Sequence, residues 1–221
     1  RALTYACAGA IDMASMGDRK AAQRAEVLTP LAKSWASDVG CEVASLGIQV
    51  HGGMGFIEET GAAQHFRDAR IAPIYEGTNG IQAADLVGRK LAMADGAAIR
   101  DLIDDILAEC GDEPALDALA QACGEVFAWL NERPVDDRLA GSHDFLTMLA
   151  VAAAGWLMRR QAKAVEANLG GPTSQEWLSA KAATTRFFLD RIVPEALGRR
   201  SAAMAGAVGL YTLTTRALAS A

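Results

Sequence analysis

The stretch LAKSWASDVGCEVASLGIQV (residues 31–50) decides the fold class. Its large apolar residues Leu31, Trp35, Val39, Val43, Leu46 and Val50 recur every three or four positions. That is the period of one helix face, and it predicts a helix burying a continuous stripe. The stripe stops at His51-Gly52-Gly53-Met54-Gly55, where glycine breaks the helix. Upstream, a helix over residues 1–16 stops near Gly17-Asp18, and helix resumes around Arg19. Thr29-Pro30 reads either as an N-cap with proline in the first turn or as a kink in one long helix. Downstream, a short helix is expected from about Gly61 to Ala69 with Thr60 as its cap. Residues 71–75 are extended or irregular, because Pro73 disfavours helix at Ala72. Thr78 or Asn79 then caps a helix to about Ala94.

The second half keeps the helical period. Gly96 and the turn CGDEP (residues 110–114) bound helices at about 97–109 and 115–132. Residues 133–142 read as a connection, followed by a long helix from His143 to Asn168 that Gly170-Gly171-Pro172 stops. Thr173 or Ser174 caps the next helix, which runs to about Val193, where Pro194 interrupts it. A last helix takes most of residues 201–220. The expected architecture is all-α, with no sheet beyond an incidental bridge near residues 71–74. It comprises two helical bundles in series, residues 1–95 and 96–221.

Composition removes several function classes. Apolar residues make up 51% of the 221, enough for a sizeable core, and charged residues 22% with mixed sign, which excludes a disordered chain. The net charge of −6 comes without a long basic run, so nucleic acid is excluded as a partner. No apolar run reaches membrane-spanning length. The four cysteines, Cys7, Cys41, Cys110 and Cys123, form no Cys-x-x-Cys pair and read as reduced, buried thiols of a cytoplasmic protein. No signal peptide opens the chain, and Arg1 leads straight into helix, so a piece of a longer protein is expected.

The chemistry-bearing residues are few. His51, His65 and His143 are scattered, with no His-x-x-x-His or Glu-x-x-His spacing for a metal. No Gly-x-Ser-x-Gly nucleophile motif occurs. Residues 53–58 (GMGFIE) begin like a dinucleotide fingerprint but lack its third glycine and follow a helix rather than a strand. Glu58-Glu59 reads as a solvated acidic turn, and Arg67, Asp68 and Arg70 as surface or interdomain ion-pair partners. Trp35, Trp129, Trp156 and Trp177 default to packing. What remains is IYEGTNGIQ (residues 74–82), where one carboxylate, Glu76, sits between an aromatic ring and a glycine. From spacing alone Glu76 is either a solvated or helix-capping acid or a base held in an apolar slot. The nearby helix N-termini and glycines allow a ligand to approach the backbone.

Three motifs in order close part of that choice. QVHGGMGF (residues 49–56), FRDARI (66–71) and IYEGT with Ile81-Gln82 (74–82) closely resemble the C-terminal helical domain of acyl-CoA dehydrogenases. The resemblance covers residues 1 to about 95. Residues from about 100 onward resemble the extra helical domain of a longer subgroup that includes the 3-methylmercaptopropionyl-CoA dehydrogenases. The resemblance implies α,β-desaturation of an acyl-CoA thioester to a trans-2-enoyl-CoA, with FAD as cofactor and electron-transferring flavoprotein as acceptor. Glu76 matches the family's base, which removes the α-proton while the β-hydrogen leaves as hydride. The thioester oxygen is held by the Glu76 backbone amide and a flavin hydroxyl, and desolvation strengthens the base. Gly77 leaves room for substrate.

Gln49 and Gly53 match positions that meet the FAD of a neighbouring subunit, with Gly52 beside them also assigned to the cofactor. Thr78 matches one that meets FAD in its own subunit. A homo-oligomer is therefore implied. At Gly80 many relatives carry a polar or acidic residue, so only a backbone contact can survive there. The family's later arginine falls out of register, with Gly88 in its place, and Arg89 is given no role. The domains that wall the family's flavin and acyl pocket have no counterpart in this chain, so the chain alone is expected to be inactive. Two other readings use the same residues. One is an acyl-CoA oxidase or alkylation-response-type flavoprotein, the former distinguished by hydrogen peroxide release. The other is a non-catalytic helical interaction module, which a solvent-exposed, mobile Glu76 in an intact flavin-bound enzyme would favour.

Overall fold

The computed structural model describes residues 1–167 and 174–219. Its helices are α1 (Ala2–Ser15), α2 (Arg19–His51), α3 (Gly53–Phe56), α4 (Ala62–Ala69), α5 (Asn79–Asp85), α6 (Ala97–Glu109), α7 (Pro114–Asn131), α8 (Val135–Glu166), α9 (Gln175–Phe187), α10 (Val193–Leu197), α11 (Arg200–Ala203) and α12 (Thr215–Leu218). Among the described residues there is no strand, so the protein is all-α, as its periodicity predicts.

Helix α8 is the axis of the molecule. It touches α1, α2, α5, α6, α7, α9, α10 and α11. Its middle is buried nearly all round, from Phe145 through Trp156, as a helix surrounded by others must be. Small residues allow that crowding: a Cβ at Gly141 would lie 2.0 Å from the Ala203 carbonyl oxygen, so α11 can approach only because residue 141 is glycine. Buried residues from both halves, Leu31 and Leu86 as well as Leu116 and Phe145, belong to one continuous core. The chain enters α6 through three successive left-handed residues, Ala94 (φ 47°), Asp95 (φ 53°) and Gly96 (φ 75°).

Several expectations are corrected. Helix α2 runs unbroken through Pro30, the kink alternative rather than the cap, and its N-terminus is capped by Asp18, whose carboxylate accepts from Ala21 N–H at 3.0 Å. Its apolar stripe is not buried along its length: Leu31 is, but Val43, Leu46 and Val50 are 60, 56 and 86% exposed. The periodicity states that the face needs a partner, and no described element supplies one. Gly61, left-handed (φ 74°), takes the cap position of α4, and Thr60 stands one residue earlier, its hydroxyl accepting from Ala62 N–H at 3.4 Å. Residues 71–75 form hydrogen-bonded turns, the irregular alternative rather than extended chain. The helix expected to reach Ala94 contains a π-turn (Leu86–Lys90) and gives way to a 3₁₀ turn at Met93.

The connection expected over residues 133–142 is mostly helix. Pro134 occupies the cap position in an extended conformation, and Asp136 and Asp137 favour the first turn. The stop at residues 170–172, the end of that helix at Asn168 and the Thr173 cap lie outside the described residues; Ser174 caps α9 by accepting from Trp177 N–H. Pro194 does not interrupt the next segment. The backbone shifts to a π-turn ahead of it, with Val193 N–H bonding the Phe188 carbonyl, and helix continues to Leu197. The last long helix is absent. Only the short pieces α11, a 3₁₀ turn (Val208–Tyr211) and α12 occur there, with a left-handed turn at Gly206.

Candidate active site

The loop between α4 and α5 carries Glu76. Pro73 is buried, and its carbonyl accepts from Asn79 N–H at 3.0 Å, which closes the loop. Glu76 (φ 53°) and Gly77 (φ 83°) are consecutive left-handed residues. Glycine adopts that conformation freely and glutamate does not. The Glu76 side chain is exposed and lines a cleft of about 470 Å³ together with Thr29, Lys33, Ser37 and Tyr75. Among the described residues its carboxylate has no hydrogen bond or ion pair. Thr78 ends the loop as the cap of α5, its hydroxyl accepting from Ile81 N–H at 3.2 Å. Two carbonyl and carboxamide acceptors of the loop reach back to α2: Lys33 Nζ donates to Gly77 O at 2.7 Å and to Asn79 Oδ1 at 2.8 Å. The buried Asn79 carboxamide in turn donates to Ser34 O at 3.0 Å, Ser37 Oγ at 2.9 Å and Asp38 Oδ1 at 2.7 Å.

The other residues singled out in the sequence lie elsewhere. Gln49 is exposed at the end of α2, sixteen positions beyond Lys33 and about 24 Å further along the axis. Gly52 (φ 61°) terminates α2, its N–H bonding Gln49 O at 3.1 Å, and Gly53 starts α3 with open space where a side chain would be. Gly80 also has room, its nearest neighbour being Thr78 Oγ1 at 3.8 Å from a built Cβ, whereas a Cβ at Gly77 would meet Gln82 Nε2 at 2.9 Å. The structure thus brings Glu76, Gly77, Thr78 and Gly80 together and leaves Gln49, Gly52 and Gly53 at a second place. Glu58 is engaged by a bidentate pair with Arg67, at 2.9 and 2.8 Å, which holds its carboxyl below the usual range.

Sequence reasoning missed the contributors from α2, namely Lys33, Ser34, Ser37 and Asp38. The available signal was a polar cluster at helical spacing beside an apolar stripe. Arg89, given no role, bonds Asp85 at 2.8 Å and reaches Glu26 at 3.4 Å. Cys7, Cys110 and Cys123 are buried and Cys41 half-buried, and all four are free thiols. Among the described residues no cluster of metal-ligating side chains occurs, and no helix is long and apolar enough to cross a membrane.

Residues 97–214, more than half of the chain, match the family model described as acetyl-CoA dehydrogenase C-terminal like, and residues 1–91 match that of the acyl-CoA dehydrogenase C-terminal domain. The chain belongs to the acyl-CoA dehydrogenase family. Among members of that family, it is 39% identical over 220 residues to 3-methylmercaptopropionyl-CoA dehydrogenase of Ruegeria pomeroyi, a match covering 91% of this chain and 37% of the relative. It is 39% identical over 117 residues to a butyryl-CoA dehydrogenase of Syntrophomonas wolfei, covering 51% of this chain and 18% of the relative. A solved acyl-CoA dehydrogenase of Bacillus anthracis, complexed with FAD, superposes with a TM-score of 0.60 at 20% identity, over 88% of this chain and 35% of that one. That likeness establishes the helical fold. The chain therefore spans little more than a third of the length of these acyl-CoA dehydrogenases.

Proposed function

We propose that this chain supplies the base of an FAD-dependent acyl-CoA dehydrogenase, with Glu76 removing the α-proton of an acyl-CoA thioester. The observation that carries the reading is Glu76 itself: a carboxylate without a partner among the described residues, facing a cleft from a strained turn that α2 holds in place. A carboxylate kept for structure is ordinarily paired, as Glu58 is. The α-carbon is a weak acid, so the developing enolate needs donors at the thioester oxygen, for which the Glu76 backbone amide is available. Gly77 supplies the second left-handed residue of the turn, and its missing Cβ leaves room for the Gln82 side chain beside it.

The residues present fit a flavin. The Thr78 hydroxyl accepts from Ile81 N–H and keeps its own proton to donate. Gln49 is exposed, and Gly52 and Gly53 present backbone with nothing within 4 Å of a built Cβ. When bound, FAD supplies the acceptor for the β-hydrogen. Thr78 and the Gly80 backbone would hold the cofactor of the same subunit, and Gln49, Gly52 and Gly53 that of a neighbour, an arrangement supported by the 24 Å separation. The exposed stripe on α2 supports a homo-oligomer or cover by further domains. The same proposal divides the chain near residue 95, in keeping with the two family-model matches and the left-handed turn at residues 94–96. Electron-transferring flavoprotein is the proposed acceptor, and the 221-residue chain alone is expected not to turn over.

The test uses a protein that carries this chain together with the remaining length of its relatives. Glu76→Gln keeps the shape and removes the base. It should preserve FAD and acyl-CoA binding and lower kcat by about 10²–10⁴-fold, with Glu76→Asp retaining more activity. Glu58→Gln and Glu59→Gln are controls; a loss there with Glu76→Gln unaffected would show that the wrong carboxylate has been named. A panel of acyl-CoA thioesters that includes 3-methylthiopropionyl-CoA would assign the acyl chain.

A further inference from the structure

We propose that Lys33 and Asn79 are positioning residues that hold the Glu76 carboxylate on its target, an inference that rests on Glu76 being the base. The loop's own hydrogen bonds, the turns at residues 71–75 and Asn79 N–H to Pro73 O, do not reach residues 76 and 77. Residues 76 and 77 are both left-handed, and at Glu76 that conformation is strained for a residue with a Cβ. Such strain persists only where the surroundings over-determine it. Here the surroundings are one face of α2. Lys33 Nζ, on a long stem, reaches the Gly77 carbonyl at 2.7 Å, fixing the peptide plane directly after the strained pair. The same ammonium bonds Asn79 Oδ1 at 2.8 Å.

Asn79 makes the arrangement rigid. Its side chain is only 7% exposed, and its donors are taken by Ser34 O and Asp38 Oδ1, one turn apart on the same helix. Its backbone N–H bonds Pro73 O, so the loop is tied across its own mouth as well as to α2. Lys33 bonds the backbone and a carboxamide, not the Glu76 carboxylate, so it acts through the loop and leaves the base unpaired. A turn that relaxed to right-handed values at residue 76 would swing the side chain away from the substrate's α-carbon. Displacements of about 1 Å cost on the order of 10²-fold in rate.

The first arm of the test is amide hydrogen exchange on this chain. Lys33→Met keeps the aliphatic stem and loses the donors. Exchange at the Asn79 amide should quicken at least about tenfold while amides in the buried middle of α8 are unchanged. The second arm is turnover of the FAD-loaded protein that carries this chain. Lys33→Met should lower kcat on the order of 10²-fold, with KM and FAD content held within about twofold. Lys33→Ala should be partly rescued by added propylammonium, which donates hydrogen bonds, and not by tetramethylammonium, which carries the charge without donors. Unaltered Asn79 exchange in Lys33→Met would overturn the latch and leave the base assignment standing. A wild-type rate for Glu76→Gln would overturn the base, and with it the catalytic meaning of the latch. Rescue by both cations alike, or a loss confined to KM or FAD content, would overturn positioning.

Discussion

Helix α2 should lose stability when Lys90 is cut back, because Lys90 repairs a defect that Pro30 creates. Proline has no N–H, so Pro30 inside α2 leaves the Glu26 carbonyl without its helical partner. The Lys90 ammonium, only 5% exposed, donates to that carbonyl. It also lies 2.9 Å from Glu26 Oε2 and 3.6 Å from Asp85 Oδ2. Lys90→Met keeps the buried stem and removes the charge. The bond from a charged donor to the carbonyl is worth about 1.5–3 kcal/mol. Relief from burying an ammonium offsets part of the loss, and the two carboxylates are exposed enough to regain water, so the net cost should be about 2 kcal/mol. Urea unfolding at pH 7 measures it. The mechanism makes a sharper demand. In Pro30→Ala the restored amide can bond Glu26 O, and Lys90→Met should then cost about 1 kcal/mol less than in the parent. Additivity of the two substitutions within about 0.5 kcal/mol would refute the link between the proline and the lysine, as would a Lys90→Met variant with unchanged stability.

The same cluster sets an acid dependence. Hydrogen bonding to Lys90 holds the Glu26 carboxyl below the usual range, and hydrogen bonding to Arg89 does the same for Asp85. Depressed folded values contribute stability that is present above the unfolded carboxylate range and lost as pH falls through about 4 toward the folded values. Lys90→Met should therefore flatten the acid-side decline in a series of urea midpoints. Gly141→Ala should destabilise by about 2–3 kcal/mol, or shift α11, because its Cβ would meet backbone at 2.0 Å that cannot yield as a flexible side chain can; thermal unfolding reads this. Burial, with Asp117 nearby, pushes the Cys110 thiol up to about 11, and burial alone pushes Cys123 upward. Both should resist a disulfide-exchange labelling reagent at pH 8 in the folded protein and react fully in denaturant.

What the sequence revealed follows the reach of each signal. Local chemistry was legible: Thr78 caps a helix, Pro114 opens one, and glycine stops α2 at residue 52. Signals that depend on distant partners were not. Pro30 reads as a break or a kink because its repair comes from Lys90, sixty positions away. Residues 133–142 read as a linker because Arg-Pro suggests one, although proline is equally at home just before a helix. A helix over residues 201–220 is expected, yet that tail has no stripe to bury, and its large side chains Val208, Leu210 and Tyr211 stand exposed. Glu76 stands out by elimination, and only the resemblance favours a base over a solvated acid there. The latch that holds it joins residues 44 and 46 positions apart, which no local pattern encodes.

The apolar stripe of α2 is longer than the cover its own chain gives it. Periodicity reports that a face is to be buried, not what buries it. On α2 the face is covered at Leu31, by its own chain, and bare from Val43 to Val50. Met54, Phe56 and Ile57 continue the bare surface past the glycine turn. Fully covering a side chain of this size is worth about 1.5–3 kcal/mol, so several together represent a driving force comparable to the stability of a whole domain. Gln49, Gly52 and Gly53, proposed to meet a neighbour's cofactor, lie within this surface, whereas Glu76 lies near the covered part of the helix. One helix of 33 residues, about 50 Å long, thus serves two places at once. Near its middle it fixes the loop of the proposed base, and at its C-terminal end it presents an apolar platform to something else. On this proposal the loop of Glu76 is held from within the chain by Lys33 and Asn79, and a second surface covers the bare end of α2.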